Sequence, residues 1–178
     1  MGGPVRDAGL STPGPADPAA ALESTLEHRV GRVLIEARLT IATAESFTGG
    51  LLCDRLTNVP GSSAYVLGGV IAYANELKED LLRVDPETLA NYGAVSEQTA
   101  LEMARGALRC CGADCALSTT GIAGPTGGTA EKPVGLAYIA LVTADREWCE
   151  RHVFTGDRLE IKRQGAEAAL QLLLKHLS

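Results

Sequence analysis

The sequence predicts an α/β domain in which helices cover both faces of a mixed sheet. Short apolar, β-prone stretches recur five times along the chain, which is the pattern of buried strands. Between them lie segments whose apolar residues repeat at helical spacing. The resulting order is α, β, α, β, α, α, α, β, loop, β, β, α, and helices on both faces of one sheet are the natural arrangement for it.

Length and composition fit one domain with its own core. The chain has 178 residues, of which 46% are hydrophobic. The formal net charge is −6 and no run of Lys or Arg occurs, which argues against binding along a nucleic-acid backbone or to an anionic membrane surface. No stretch approaches the roughly 18 consecutive apolar residues of a membrane span, and we expect neither a membrane nor a nucleic-acid partner.

The cysteines and histidines predict neither a disulfide framework nor a metal site. Five cysteines are an odd number, form no Cys-x-x-Cys pair and lie mostly among apolar residues, which is typical of reduced thiols in a cytoplasmic protein. His28, His152 and His176 are scattered without metal-ligand spacing. No metal and no cofactor is therefore expected.

The first 20 residues or so are rich in Gly and Pro and are predicted to form a disordered tail. The domain is then expected over residues 21–178. Its first helix is predicted from about residue 24 to 38, because Ser24 and Glu27 match a capping box.

A serine lies on a predicted strand-to-helix turn. The β-prone run 39–42 precedes the segment Thr43–Gly50, and a helical pattern begins at Leu51. In an open α/β sheet such a turn lies at the carboxyl edge, where ligands bind, and its glycines let the backbone approach a ligand. Ser46 is therefore a candidate nucleophile. Alternatively, Ser46 or Thr48 only caps the following helix.

A lysine follows the second strand, which is predicted over residues 65–73 with a bulge at its glycine pair. Asn75 is predicted as the N-cap of a short helix over 76–82, which places Lys78 near the third helical position. A positive helix end and desolvation both lower a lysine pKa toward the neutral form that accepts a proton. The alternative is an ordinary solvated lysine.

Two helices are predicted before the third strand. Asp85 and Pro86 have the residue types of an N-cap and a first helical position, and Gly93 ends this short helix. Ser96 is predicted to cap a longer helix over 97–111, whose methionine is more typical of a core than of a cofactor contact.

The third strand, over 115–120, is followed by a glycine-rich loop that ends near Lys132. The loop matches neither the Walker pattern nor the dinucleotide fingerprint. Its glycines can still expose consecutive backbone N–H groups to a phosphate or a carboxylate, with Lys132 nearby. The alternative is a flexible surface connection. The glycines are Gly121, Gly124, Gly127 and Gly128.

The last part of the chain predicts two strands and a helix. The strands are expected over 134–142 and 148–154, and His152 in the second of them is predicted to be structural. Asp157 and Glu160 then open a helix of about 20 residues that can cover the sheet.

Five motifs occur in order over residues 24 to the end. They are Thr43-Ala44-Glu45-Ser46 with Thr48-Gly49-Gly50; Val59-Pro60-Gly61-Ser62-Ser63; Gly68-Gly69-Val70 with Tyr73 and Asn75 to Lys78; Gly93-Ala94-Val95-Ser96; and Thr120-Gly121-Ile122-Ala123-Gly124-Pro125 with Gly127-Gly128 and Lys132-Pro133-Val134-Gly135. Together they resemble the C-terminal domain of the competence-damage protein CinA. The resemblance implies a three-layer α/β/α sandwich around a mixed, mostly parallel sheet of about five strands, often as a homodimer.

That family includes stand-alone nicotinamide-mononucleotide amidases, which convert the carboxamide to a carboxylate and release ammonia in pyridine-nucleotide recycling. The chain looks like this stand-alone form. Carried over, Ser46 is expected to be the nucleophile, Lys78 its base and Tyr73 a third hydroxyl in the site. The substrate is expected to lie against Glu45, Thr48, Gly49, Gly50, Asn75, Gly121, Gly124, Gly127, Gly128 and Lys132.

The sequence departs from the family pattern at two positions. Phe47 stands where family members usually have a cysteine, and Ala74 stands where a small hydroxyl residue is common. The Phe47 ring is expected either to narrow the pocket or to turn inward to the core.

The residues fit a metal-free amide hydrolysis. Neutral Lys78 would accept the Ser46 proton, and N–H groups of Thr48, Gly49 or Gly50 would stabilise the oxyanion. The 5′-phosphate would rest in the glycine loop near Lys132. Two alternatives stay open: a non-catalytic nucleotide-binding or regulatory module of the same fold, and a hydrolase of a different small amide.

Overall fold

A five-stranded mixed sheet forms the centre of the computed structural model, which describes residues 25–177. The strand order is β2-β1-β3-β4-β5, with β1 paired in parallel to both β2 and β3. The remaining two pairings are antiparallel, so only β4 opposes the other four strands. The predicted mixed, mostly parallel sheet is confirmed. The strands are β1 Ile41–Glu45, β2 Val66–Ile71, β3 Cys115–Gly121, β4 Leu136–Thr143 and β5 Glu147–Val153.

Six α-helices form the two outer layers of this part of the chain. Helices α1, α2 and α6 share one apolar core with the sheet, whereas α5 packs on the opposite face and contacts α3 and α4. The three-layer α/β/α arrangement is thereby confirmed. The helices are α1 Leu26–Ala37, α2 Leu51–Thr57, α3 Asn75–Leu82, α4 Pro86–Tyr92, α5 Glu97–Cys111 and α6 Arg158–Leu177.

Three predicted helix starts are confirmed by hydrogen bonds. The Asp85 carboxylate accepts from the Glu87 N–H at 2.8 Å, and the Ser96 hydroxyl accepts from the Thr99 N–H at 3.2 Å. At α6, Asp157 and Glu160 accept from each other's backbone N–H groups, which is the capping-box arrangement.

Two other predicted starts need correction. Ser24 lies outside the described residues, and the N-cap of α1 is Thr25, whose hydroxyl accepts from the His28 N–H. The prediction of Asn75 as an N-cap is wrong, because α3 begins one residue earlier and its N-cap is the extended Ala74. Lys78 is consequently the fourth helical residue rather than the third.

The carboxyl ends of β1, β2 and β3 meet at one edge of the sheet. Residue Glu45, the last of β1, pairs with Ile71 of β2 and with Thr119 of β3. Strand β2 contains a bulge, but it lies at Leu67, just before the glycine pair where it was predicted, because Ile41 pairs with Val66 and Ala42 pairs with Gly68. This edge therefore brings together the segments that follow three different strands, which is the usual location of ligand sites in such sheets.

Candidate active site

The serine turn lies directly at this carboxyl edge. The Ser46 N–H donates to the carbonyl of Thr119 at 2.9 Å, and the Ala72 N–H donates to the carbonyl of Glu45 at 2.9 Å. The half-buried Ser46 is thus tied into the middle of the edge, with the end of β2 on one side and the end of β3 on the other. A side chain at this position can reach a ligand bound over the strand ends.

Glu45 holds the turn in shape. Its fully buried carboxylate accepts hydrogen bonds from the N–H groups of Gly50, Leu52 and Cys53 at 2.8–3.0 Å and from the Thr48 hydroxyl at 2.7 Å. These bonds satisfy the free N–H groups at the start of α2. The N-cap itself is Gly50 and makes no side-chain cap bond, so the alternative in which Ser46 or Thr48 caps the helix is wrong.

Backbone donors in the turn differ in availability. The Gly49 N–H donates to the carbonyl of Ser46 at 3.1 Å, and the Gly50 N–H is taken by Glu45. In residues 25–177, the Thr48 N–H has no acceptor within hydrogen-bond distance. Of the three expected oxyanion donors, the fully buried Thr48 is therefore the one whose N–H has no acceptor in this part of the chain.

The ring of Phe47 turns inward to the core. It is 3% exposed and packs against Gly165 of α6, at a distance that a Cβ on Gly165 would overlap. Of the two orientations left open by the sequence, the inward one is correct. Phe47 therefore fixes α6 beside the serine turn and leaves the space above Ser46 unobstructed by its ring.

Lys78 is buried at the neighbouring strand end. Its side chain is 1% exposed, and its Nζ donates to the carbonyls of Ala72 at 2.9 Å and Tyr73 at 3.1 Å. Burial lowers the pKa of the Lys78 ammonium below its usual value, and nearby Glu76 opposes this effect only in part. The alternative of a solvated lysine is wrong.

The pairing of β1 with β2 brings Lys78 and the serine turn to adjacent positions. Ala72, whose carbonyl accepts from Lys78, is the residue whose N–H pairs with Glu45 immediately before Ser46. In the described part of the chain, no carboxylate lies within 4.0 Å of the Lys78 ammonium. The lysine therefore lacks an anionic partner that would hold it in the charged form. A general base must be uncharged to accept a proton, so the lack of such a partner suits this role.

An arginine that the sequence analysis did not identify links Tyr73 to the glycine loop. Arg158 donates from Nη2 to the Tyr73 hydroxyl at 2.8 Å and from Nη1 to the carbonyl of Gly124 at 2.7 Å. Arg158 is the first residue of α6, where the helix dipole disfavours a cation. A cation at that unfavourable position was the signal available in the sequence. Tyr73 itself is exposed.

The glycine loop is anchored at both ends. At its start, the Ile122 N–H donates to the carbonyl of Leu136, and the carbonyl of Ile122 accepts from the Gly135 N–H. At its end, the Lys132 ammonium donates to the carbonyls of Tyr92 at 2.6 Å and Val95 at 2.9 Å. Lys132 thus connects the loop to the end of α4. Gly127, Gly128 and Asn75 have exposed positions around this edge.

A cleft of about 420 Å³ adjoins the serine turn between α2 and α6. Its lining residues are Thr48, Gly49, Gly50, Leu51, Asp54, Leu159, Lys162 and Arg163. Among residues 25–177, no three His, Cys, Asp or Glu side chains come together as a metal site would need. Over the same residues, no helix has both the length and the apolarity to cross a membrane.

Several known proteins that this chain resembles belong to one family. A family model described as the CinA C-terminal domain matches residues 23–177. A CinA-like protein of Chlorobaculum tepidum is 52% identical over 163 residues, which cover 89% of this chain and 38% of the relative. A CinA-like protein of Chloroherpeton thalassium is 50% identical over 163 residues, with 89% and 39% covered. The chain thus spans well under half the length of these curated relatives.

Solved structures share the fold over most of their own length. The competence/damage inducible protein CihA from Agrobacterium tumefaciens has a TM-score of 0.82 at 43% identity, covering 84% of this chain and 92% of that protein. A competence-damaged protein (CinA) superfamily protein from Enterobacter cloacae has a TM-score of 0.83 at 33% identity, covering 86% and 90%.

Proposed function

Because this chain belongs to the CinA C-terminal domain family, we propose that it hydrolyses the carboxamide of nicotinamide mononucleotide to nicotinate mononucleotide and ammonia. The observation that carries the proposal is the buried Lys78, bonded to the strand end beside Ser46 and without a carboxylate partner among residues 25–177. Burying an ammonium costs free energy unless the group becomes neutral. An amine whose pKa is lowered by burial, beside a half-buried serine, supports a serine-lysine hydrolase.

The first half of the reaction forms the acyl-enzyme. Neutral Lys78 accepts the proton of the Ser46 hydroxyl while the Ser46 Oγ attacks the carboxamide carbon. The Thr48 N–H stabilises the resulting oxyanion. As the carbon–nitrogen bond breaks, charged Lys78 gives its proton to the leaving nitrogen, either directly or through the Tyr73 hydroxyl, which passes on its own proton and is reprotonated by Lys78; ammonia departs and Lys78 is neutral again.

The second half releases the product. Water attacks the ester carbon, Lys78 accepts a proton from that water, and the proton returns to the Ser46 Oγ as the carbon–oxygen bond breaks. The carboxylate of nicotinate mononucleotide is then free to leave. Neither half needs an oxidant, a metal or a second substrate other than water.

The remaining predicted residues are proposed to surround the nucleotide. Arg158 would orient the Tyr73 hydroxyl and the glycine loop together, since it donates to both. Glu45 is proposed to act indirectly, by holding the turn that carries Thr48. The further residues proposed to line the substrate are Gly49, Gly50, Asn75, Gly121, Gly124, Gly127, Gly128 and Lys132.

We also propose a homodimer formed through β2 and α3. Strand β2 is an edge strand, and Leu67 and Ile71 expose large apolar side chains along it. On α3, Leu77 and Leu81 are likewise exposed. An edge with this much apolar surface is better covered by a second copy than left in water. We expect the protein to act in the cytoplasm, where its five free thiols are stable.

One observation favours a second candidate function, a nucleotide-binding module without catalysis. The Lys78 ammonium already donates to two carbonyls, and within residues 25–177 no hydrogen bond joins it to Ser46. Such a module would bind nicotinamide mononucleotide without consuming it. A hydrolase of another small amide is less supported, because Phe47 lies in the core instead of narrowing the pocket.

Ammonia release on incubation with nicotinamide mononucleotide tests the proposal. We expect the purified protein to release ammonia and nicotinate mononucleotide in equal amounts. Free nicotinamide and asparagine serve as control amides, and we expect neither to be hydrolysed at a comparable rate. Binding of the nucleotide without ammonia release would favour the second candidate, and faster hydrolysis of another amide would change the substrate.

A further inference from the structure

The cleft between α2 and α6 has a positively charged wall beside the serine turn. Gly49 lies three residues after Ser46, and the Lys162 ammonium lies directly above it, 3.4 Å from where a Gly49 Cβ would be. The backbone of Gly49 is left-handed, with φ of 64°, which favours glycine. A side chain is therefore absent on the floor of the cleft, and the Lys162 ammonium can reach a ligand there.

Some cationic side chains near the carboxyl edge already donate hydrogen bonds to the protein, and others do not. Lys78, Lys132 and Arg158 each donate to two oxygens of the protein. By contrast, Lys162 and Arg163 donate to no acceptor in residues 25–177, and no carboxylate there lies within 4.0 Å of either. These two side chains are thus available to an anion that enters the cleft.

Asp54 is the one carboxylate that lines this cleft, and it must be weighed against the two cations. Its Oδ2 accepts a hydrogen bond from the Asn58 amide at 3.2 Å. Two cations and one carboxylate leave the lining with a net positive charge. An anionic ligand group is therefore favoured over a neutral or cationic one.

We propose that Lys162 and Arg163 bind the phosphate monoester of the substrate. This inference rests on the proposed amidase function and supplies it with a phosphate subsite different from the glycine loop. The Gly49 N–H donates to the Ser46 carbonyl at 3.1 Å, so a carboxamide placed at Ser46 and a phosphate placed over Gly49 would occupy neighbouring positions of the same turn. Arg158 lies one helical turn before Lys162 on α6 and would face the middle of the nucleotide.

Such a subsite has a defined kinetic consequence. A phosphate held equally in the ground state and the transition state lowers KM and leaves kcat nearly unchanged. Losing one charge-assisted contact costs about 10- to 100-fold in binding. Nicotinamide riboside, which has the same carboxamide but no phosphate, should gain nothing from Lys162.

The kinetic test compares Lys162→Gln, Arg163→Gln and Lys132→Gln with a matched control, Lys175→Gln, which removes a cation from the far end of α6. We expect Lys162→Gln to raise KM for nicotinamide mononucleotide at least about tenfold with little change in kcat. Its kcat/KM for nicotinamide riboside should equal the wild-type value. Equal losses of kcat/KM on both substrates in Lys162→Gln would overturn the subsite. So would a result in which only Lys132→Gln loses the preference for nicotinamide mononucleotide over nicotinamide riboside.

A binding test separates this inference from the amidase proposal. Ser46→Ala protein is titrated with nicotinamide mononucleotide and with inorganic phosphate, with and without Lys162→Gln. If wild-type protein releases no ammonia but Lys162→Gln weakens both ligands about tenfold or more, the amidase proposal fails and the phosphate subsite stands. If wild-type protein is an amidase and Lys162→Gln binds both ligands as before, the subsite fails alone.

Discussion

The ammonium of Lys78 lies 2.9 Å from the carbonyl oxygen of Ala72, the residue bonded to the strand end that precedes Ser46. This contact brings two residues that are 32 positions apart in sequence to one edge of the sheet. It also leaves a buried amine with only neutral oxygens as hydrogen-bond partners among residues 25–177. The consequences for stability and for activity can be measured separately.

Lys78 should contribute a stabilisation of the fold that grows with pH in the alkaline range. The folded-state pKa lies below the ordinary lysine value, so between those two values the unfolded chain binds the proton and the folded chain does not. The contribution of Lys78 to the free energy of unfolding therefore increases with pH there and levels off above about 10.5, whereas the buried thiols of Cys115 and Cys149, whose pKa values are raised to about 12, act in the opposite direction. Denaturant titrations of wild-type and Lys78→Met protein from pH 7 to 10 measure this contribution.

The difference in the free energy of unfolding between wild-type and Lys78→Met protein should grow with pH, whereas the difference between wild-type and Lys175→Met, at an exposed ion pair with Glu150, should stay constant. Parallel profiles for wild-type and Lys78→Met protein would mean that the lysine titrates normally in the folded state.

Activity should depend on the same titration. The fraction of neutral Lys78 grows as pH rises through its lowered pKa, so kcat/KM for nicotinamide mononucleotide should increase with pH until that pKa is passed. Lys78→Arg keeps a cation that can donate to the strand carbonyls but cannot become neutral, and we expect it to lose activity about 10²-fold or more. A kcat/KM that falls as pH rises from 6 to 9 would contradict a neutral lysine base.

Phe47 and Gly165 should be strongly coupled in stability. Gly165→Ala forces a methyl group into the Phe47 ring and should cost about 1–3 kcal/mol. Phe47→Ala alone should cost about 3–5 kcal/mol because it leaves a cavity. In the Phe47→Ala background, Gly165→Ala should become neutral or stabilising by about 1 kcal/mol, since alanine is the better helix former.

Thermal or denaturant unfolding of these three variants completes a double-mutant cycle. Simple additivity of the two single changes would mean that the ring does not pack on α6 as described.

Glu45→Gln should destabilise the serine turn. The amide has only one oxygen where the carboxylate has two, and its NH₂ group would face N–H donors at the start of α2. We expect a loss of about 2 kcal/mol or more in the free energy of unfolding. Glu36→Gln, on the exposed side of α1, is the matched control and should change it by less than about 0.5 kcal/mol. Similar values for both variants would show that the buried carboxylate contributes little.

Local signals made much of this fold predictable. The caps at Asp85 and Ser96 and the stop at Gly93 depend on residues only a few positions apart, and the sequence contains them directly. The order of strands and helices likewise follows from periodicity. Asn75 was misplaced by one residue because the actual N-cap, Ala74, has no side chain that could cap a helix and so leaves no signal in the sequence.

Long-range packing explains what the sequence could not predict. The inward direction of Phe47 depends on Gly165, and the roles of Arg158 and Lys162 depend on how α6 crosses the sheet edge. Glu45 lies next to the proposed nucleophile, yet its carboxylate serves backbone donors of the following helix. None of these contacts can be derived from spacing along the chain.

The turnover of Ser46→Ala protein decides whether Ser46 is the nucleophile. The variant should keep the wild-type melting temperature within a few degrees, because the Ser46 hydroxyl makes no hydrogen bond within residues 25–177 and its loss should cost little stability. We expect ammonia release from nicotinamide mononucleotide to fall by about 10³-fold or more while the variant still binds the nucleotide. Turnover close to the wild-type rate in a folded Ser46→Ala protein would contradict the account.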